Sequence, residues 1–225
     1  MKRLLIVGLL AGLVASSLLS PAAAGKKKKA KPVATTLYLH GTERFGEMES
    51  FSVVSDAYLS MDPTKPTGTD SKSKGITNYG VGPNTRCAGN TLFPTYVGEL
   101  SGAVKGDMKV VLNTIATPGA AVEIRVWPDI ASLLCDSATS ADYVEPAASV
   151  VVPLTPGQGT VEAVLEDVDF AAAASLMLQV SPATMDVAGT QRPLPPFVGR
   201  LLYDSEAAPS SISFSCTPSS GKTCA

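Results

Sequence analysis

The sequence predicts an all-β protein, an antiparallel β-sandwich of about ten strands with a jelly-roll-like arrangement. Short runs of β-branched and apolar residues recur along the chain, and Pro, Gly, Ser and Asp separate them. Helical periodicity is almost absent. The alanine-rich run at 169–178 alternates into Pro182, so we expect a short turn followed by a strand there.

Each predicted strand has an alternating or continuous apolar pattern. In the first, Leu37 and Leu39 fall on one face and Tyr38 and His40 on the other. The predicted strands cover residues 35–41, 57–62, 94–102, 104–116, 121–129, 148–154, 160–170, 175–182, 197–205 and 210–216. Residues 63–86 and 182–196 lack apolar periodicity, and we expect them to be long loops, where binding residues commonly lie.

Two predicted turns have the same Pro-Gly sequence, and each separates two predicted strands. Residues 116–119 and 154–157 each place Pro before Gly between two β-rich runs. Pro presets φ at the second turn position, and Gly accepts a positive φ at the third. We therefore expect two hairpins at these positions.

The strand at 121–129 contains the only tryptophan. Its core face is predicted to carry Val122, Ile124 and Val126, and its other face Glu123, Arg125 and Trp127. Pro128 lacks an N–H for the sheet, so we expect the strand to end there with Trp127 at its last position.

The N-terminus predicts export. Lys2 and Arg3 precede an apolar run at 4–19, and small residues at 22–24 form a cleavage site, so residues 1–24 read as a signal peptide. The alternative, a membrane anchor, needs about 20 apolar residues. We expect a secreted protein, free or associated with the cell envelope, with no stable membrane insertion after cleavage.

Three further segments complete the predicted organisation. Residues 25–34 form a basic flexible tail, residues 35–216 the β-sandwich domain, and residues 217–225 a C-terminal tail closed by a disulfide. The basic tail is either a mobile spacer or an attachment to anionic polymers or phospholipid. Without Lys2, Arg3 and the five tail lysines, the chain has 11 basic and 20 acidic residues, which argues against nucleic acid as a partner.

The four cysteines predict disulfides, because an even number in an exported chain is typical of a disulfide framework. Cys216 and Cys224 are separated by a turn-forming segment, and we expect them to pair. Cys87 and Cys135 would then form the second bond. No C-x-x-C spacing supports a zinc site.

Most catalytic chemistries find no support in the residues. His40 is the only histidine, and no G-x-S-x-G or phosphate-binding glycine motif occurs. Paired carboxylates remain an alternative for a hydrolase. No cofactor is expected except a structural calcium ion held by loop aspartates, and ordinary turn aspartates are the competing interpretation. The calcium candidates are Asp62, Asp129 and Asp204, with Asp70 and Asp136 as further carboxylates.

The strand order, the long segment before CAGN (87–90) and the closing pair FVGRLLYDS and SSISFSC resemble jelly-roll β-sandwiches of exported bacterial proteins, the galactose-binding-like and carbohydrate-binding modules. The resemblance covers residues 35–216 as a pattern and includes no family-specific motif. It implies a ligand surface with exposed aromatic side chains, although ordinary packing would explain the same residues. The aromatic candidates are Trp127, Tyr79, Tyr96 and Tyr143.

From these observations we expect a secreted, non-catalytic β-sandwich that binds an extracellular ligand, with polysaccharide as the leading hypothesis. The alternative is a cell-surface structural or protein-interaction domain without a small-molecule site. A hydrolase with paired carboxylates is a third hypothesis. The sequence specifies neither the ligand nor an oligomeric state.

Overall fold

The structure is a computed structural model that describes residues 30–44, 58–77, 94–129, 145–187, 190–193, 198–221 and 223–225. In these residues every regular element is a β-strand, which confirms the all-β prediction. The strands are β1 Val33–Arg44, β2 Tyr58–Asp62, β3 Lys72–Thr77, β4 Thr95–Ala116, β5 Ala121–Pro128, β6 Ala148–Pro153, β7 Gly157–Pro182, β8 Thr184–Val187, β9 Thr190–Pro193, β10 Val198–Tyr203 and β11 Ser211–Pro218.

One mixed sheet contains most of these strands. Its order is β11-β1-β2-β4-β7-β5-β6, and β10 pairs with both β3 and β4. Because β11 also pairs with β4, the strands β11, β1, β2 and β4 close a small barrel. All pairings are antiparallel except that of β2 with β4. β8 and β9 form a separate two-stranded sheet.

Two long strands organise the sheet. β4 and β7 pair from Thr95↔Gln179 to Ala116↔Gly157. The sequence predicts two strands in each of these segments, because irregular positions interrupt the alternation. Those positions are register shifts near Gly102 and Gly106 and positive φ angles at Gly106 and Asp167.

The long strands must bend sharply. Ala116 pairs with Gly157, whereas Val122, a few residues later, pairs with Pro182. A straight strand from Gly157 to Pro182 would span about 80 Å at about 3.3 Å per residue, yet the chain from Ala116 to Val122 reaches at most about 20 Å. β7 therefore curves so that its two ends approach each other, and the sheet wraps around one core.

The core lies inside this curved sheet. β4 alternates buried and exposed residues through most of its second half, as a strand with one solvated face does. The buried core includes Leu37, Leu39, Met61, Tyr96, Val110, Leu112, Val122, Ile124, Val126, Leu178, Val180, Leu201 and Ile212. The predicted core face of the strand at 121–129 is thus confirmed.

The two Pro-Gly turns have the predicted conformation but a different role. Gly119 and Gly157 both have a φ of 78°, as the turn chemistry requires. However, β7 lies between β4 and β5, and β5 lies between β7 and β6. Neither turn joins directly paired strands, so the expectation of two hairpins is wrong.

Two predicted loops contain strands. The segment 63–86 includes β3, which pairs with β10 from Lys72↔Tyr203 to Thr77↔Val198. The segment 182–196 includes β8 and β9. β3 has the sequence KSKGIT, whose single large apolar residue gives little periodicity, so only the pairing with β10 makes it a strand.

The predicted C-terminal disulfide is confirmed between Cys216 and Cys224. Both cysteines are buried against β4 beside Gly102, and the Ser101 N–H donates to the Cys224 carbonyl at 2.8 Å. The expected Cys87–Cys135 bond, the signal peptide and the first half of the basic tail (25–29) lie outside the described residues, and β1 begins within the last part of that tail, at Val33. Within the described part of the chain, no helix is long and apolar enough to cross a membrane.

Candidate functional site

Among the described residues, the most connected polar cluster surrounds His40 within β1, near the ends of β2 and β10. His40 follows Leu39 on β1, and its side chain is 13% exposed. Tyr38 on β1 pairs with Asp62 on β2, which places the end of β2 beside this part of β1. Asp204, the first residue after β10, completes the cluster.

Asp204 connects three parts of the fold through its carboxylate. Oδ1 lies 2.8 Å from His40 Nδ1. Oδ2 accepts the Gly41 N–H at 2.8 Å and lies 3.1 Å from Lys72 Nζ on β3. Asp204 has a φ of 62°, a left-handed conformation that aspartate tolerates better than most residues. The carboxylate therefore holds β1 and β3 against the end of β10.

The second nitrogen of His40 also faces oxygen atoms. Nε2 lies 3.0 Å from the Thr64 carbonyl and 3.5 Å from Asp62 Oδ1. Asp62 Oδ1 itself accepts the Thr64 N–H at 2.7 Å. A neutral imidazole has one N–H, so only the protonated ring can donate to both Asp204 and Thr64. Both ring nitrogens of His40 thus contact oxygen atoms of the cluster.

The environment shifts the pKa of Asp204 downward. Burial alone would raise this pKa, but the hydrogen bonds from Gly41, His40 and Lys72, with the charge of Lys72, lower it below the ordinary value of 3.8. Asp204 is therefore held as a carboxylate in the folded protein.

An aromatic pair lies under the cluster. The Tyr203 ring packs edge-on against Tyr96, with the ring centroids 6.1 Å apart. A Cβ added at Gly41 would lie 2.6 Å from the Tyr203 ring, so only glycine allows this close approach. Burial, followed by the charges of Tyr203 and Asp204, raises the pKa of the Tyr96 hydroxyl, which stays neutral.

The cluster resembles the carboxylate–histidine pair of a hydrolytic triad, but among the described residues no nucleophile contacts its second nitrogen. In such sites a carboxylate holds one histidine nitrogen while the other takes a proton from a nucleophile. Here the Thr64 carbonyl, which has no proton to give, contacts Nε2. In this geometry the His40 side chain connects β1 with the residues that follow β2 and β10.

The aromatic candidates do not form a ligand surface in the described residues. Trp127 is 1% exposed and Tyr96 is fully buried. Neither ring can stack on a ligand from solvent, because both faces of β5 and of the start of β4 are covered. Tyr79 and Tyr143 lie outside the described residues, so their role stays a prediction.

The calcium candidates are divided between two places. Asp62 and Asp204 both contact His40, and Lys72 and Gly41 occupy the second oxygen of Asp204. Asp129 follows β5 with a φ of 55°, and its Oδ1 accepts the N–H groups of Ala174 and Ser175. Among the described residues, no group of three acidic, histidine or cysteine side chains could hold a metal ion. Asp129 is thus separate from Asp62 and Asp204, and calcium binding by these residues stays a prediction.

Sequence reasoning missed the pairing of His40 with Asp204 and Lys72. Each residue is ordinary in its local context, and they are separated by up to 164 positions. The only sequence signal is that the single histidine and an aspartate each lie at the end of a predicted strand. A signal of this kind does not specify a partner.

No family model matches the chain, and no curated protein matches it. Solved structures do resemble it. An α-amino acid ester hydrolase labelled with selenomethionine has a TM-score of 0.50 and 13% identity, over 83% of this chain and 36% of that one. An aminopeptidase from a marine sediment Thaumarchaeota archaeon has a TM-score of 0.49 and 12% identity, over 82% and 37%. A CocE/NonD family hydrolase from Staphylococcus aureus has a TM-score of 0.49 and 8% identity, over 82% and 37%. The chain thus spans little more than a third of the length of these structures.

These comparisons correct the function expected from the sequence. We expected first a non-catalytic module for polysaccharide, second a surface interaction domain, and only third a hydrolase. The similar structure with a TM-score of 0.50 is instead named as an α-amino acid ester hydrolase. The burial of Trp127 and Tyr96 independently removes two of the four aromatic side chains on which the sugar-binding hypothesis depended. That expectation is therefore wrong.

Proposed function

We propose that this chain forms the β-domain of a hydrolase and supports a catalytic domain that lies outside these 225 residues. The observation that supports this most is the similarity to the α-amino acid ester hydrolase, which covers 83% of this chain but 36% of that enzyme. The remainder of the enzyme has no counterpart here. In this proposal the chain shapes or stabilises an active site, and the catalytic domain supplies the nucleophile.

The chemistry of the described residues favours a supporting role. A hydrolase needs a base with one free nitrogen or oxygen beside its nucleophile. The single histidine instead contacts oxygen atoms through both nitrogens. We also propose that the curved sheet is a jelly-roll-like sandwich and that the protein is exported, because β4 and β7 bend around one core and the N-terminus has the composition of a signal peptide.

The test is an assay of the chain alone and in its native assembly. An α-amino acid methyl ester is the substrate, and assemblies are captured by cross-linking through a tag at the C-terminus. We expect no hydrolysis by the isolated chain, hydrolysis by the captured assembly, and loss of that activity when the chain is removed. His40→Gln in the chain should leave the assembly's rate unchanged while the chain stays folded.

Two results would contradict the proposal. If the captured assembly hydrolyses no ester, the chain does not belong to such an enzyme. If the isolated chain hydrolyses the ester and His40→Gln abolishes this, the chain is itself the catalyst and the supporting role is wrong.

A further inference from the structure

The outer face of β5 contains a buried cation. Arg125 lies on the face opposite Val126, and its side chain is 5% exposed. One guanidinium nitrogen, Nη2, forms an ion pair with Glu123, two residues earlier on the same face. Glu123 is the partner that balances the charge of Arg125 among the described residues.

Two nitrogens of this guanidinium find no acceptor among the described residues. Nε and Nη1 are both buried, and neither has a hydrogen-bond partner in the part of the chain that the structure describes. A guanidinium carries five N–H donors, and a buried donor without an acceptor destabilises the protein. A guanidinium with unpaired N–H donors can bind a carboxylate or a similar anion, because the oxygen atoms of such a group match the spacing of the donors.

The neighbours of Arg125 differ in exposure on its two sides. By strand register Arg125 lies between Gln179 on β7, which is buried, and Ser149 on β6, which is exposed. Val151, next to Ser149 on the same face of β6, is 54% exposed. The buried guanidinium is thus nearest to solvent on the side of β6, and Trp127 lies next to it along β5.

We propose that Arg125 binds the carboxylate of a small molecule. The carboxylate accepts from Nη1 and from the second hydrogen of Nη2, which form one edge of the guanidinium, and water or a further ligand oxygen completes Nε. A single negative charge suits this site better than a phosphate dianion, because Glu123 already places one carboxylate against the same cation. This inference is independent of the proposed hydrolase.

The test is a titration of the full chain, labelled with ¹⁵N at arginine, observed through the guanidinium resonances by NMR. Acetate is the probe, acetamide is its uncharged isostere, and inorganic phosphate is the dianion control. We expect the Arg125 resonances to shift to saturation with acetate and not with acetamide, and to respond more weakly to phosphate. Arg200 on β10 is exposed and is the internal control, so its resonances should not shift.

Two variants keep the inference falsifiable even if one of them folds poorly. Arg125→Lys keeps a positive charge but removes the planar donors, so acetate affinity should fall at least several-fold. Glu123→Gln removes the competing carboxylate, so acetate affinity should rise several-fold. An acetate shift equal to the acetamide shift, unchanged acetate affinity in Arg125→Lys, or unchanged affinity in Glu123→Gln would each overturn the proposal.

Discussion

Asp204→Asn tests whether the carboxylate after β10 holds the fold together. Asparagine has the same shape and also tolerates the positive φ of this position, so the backbone is not strained by the change. The substitution replaces one carboxylate oxygen with an NH₂ group. The N–H of Gly41 and the ring of His40 then compete for one remaining acceptor.

The expected loss follows from these contacts. A hydrogen bond to a charged group contributes about 1.5–3 kcal/mol. The contact with Lys72 adds less than about 1 kcal/mol, since the lysine side chain is 64% exposed and solvent screens the pair. We therefore expect Asp204→Asn to lower the free energy of unfolding by about 2–3 kcal/mol at neutral pH.

The pH dependence provides a second, independent readout. The pKa of Asp204 is lower in the folded chain than its ordinary value of 3.8. Its stabilisation is therefore fully present above pH 3.8 and is lost as the pH falls through the folded-state pKa. The difference between the natural chain and Asp204→Asn should shrink in that range.

Urea unfolding monitored by circular dichroism measures both effects at neutral pH and at about pH 3. Asp70→Asn is the matched control, because Asp70 is an exposed aspartate in the segment before β3. It should change stability by less than about 0.5 kcal/mol. If Asp204→Asn behaves like this control, or its effect stays constant as the pH falls below 3.8, the reasoning is refuted.

Three other substitutions test the packing. Trp127→Ala should lower the free energy of unfolding by about 3–5 kcal/mol in guanidinium chloride, because the ring is buried; a change below about 0.5 kcal/mol would mean that the ring is exposed. Replacing Cys216 and Cys224 together by serine should cost about 2–3 kcal/mol in thermal or chemical unfolding, and equal stability with and without reductant would contradict this. Gly102→Ala places a Cβ 2.5 Å from the Thr217 carbonyl and 2.7 Å from Cys216 Sγ, so it should destabilise by more than about 1 kcal/mol, and an unchanged melting temperature would disprove the close packing.

Much of the strand pattern could be predicted from local signals. β1, β2, β5, β6, β10 and β11 follow apolar alternation, and their bounds agree with the prediction to within about three residues. The Gly119 and Gly157 conformations follow from turn chemistry, and the Cys216–Cys224 bond from the short spacing of the two cysteines. The strands missed are β3, β8 and β9, because their sequences lack periodicity.

These local signals did not predict the contacts of the candidate site. Asp204 and Asp62 were chosen as calcium ligands, but the structure pairs both with His40. Arg125 was assigned to the correct face of its strand, although the burial of that face was not foreseen. Sequence alternation divides a strand into two faces and does not say whether one or both are covered.

The sequence by itself therefore determined the all-β class, the turns and one disulfide, because each depends on residues that are near one another along the chain. Only the tertiary structure decided that β4 and β7 are continuous bent strands, that Trp127 is buried, and that His40, Lys72 and Asp204 meet. The physical reason is that strand pairing is non-local. Contacts between strands far apart in the chain depend on register and on the curvature of the sheet, which no single segment encodes.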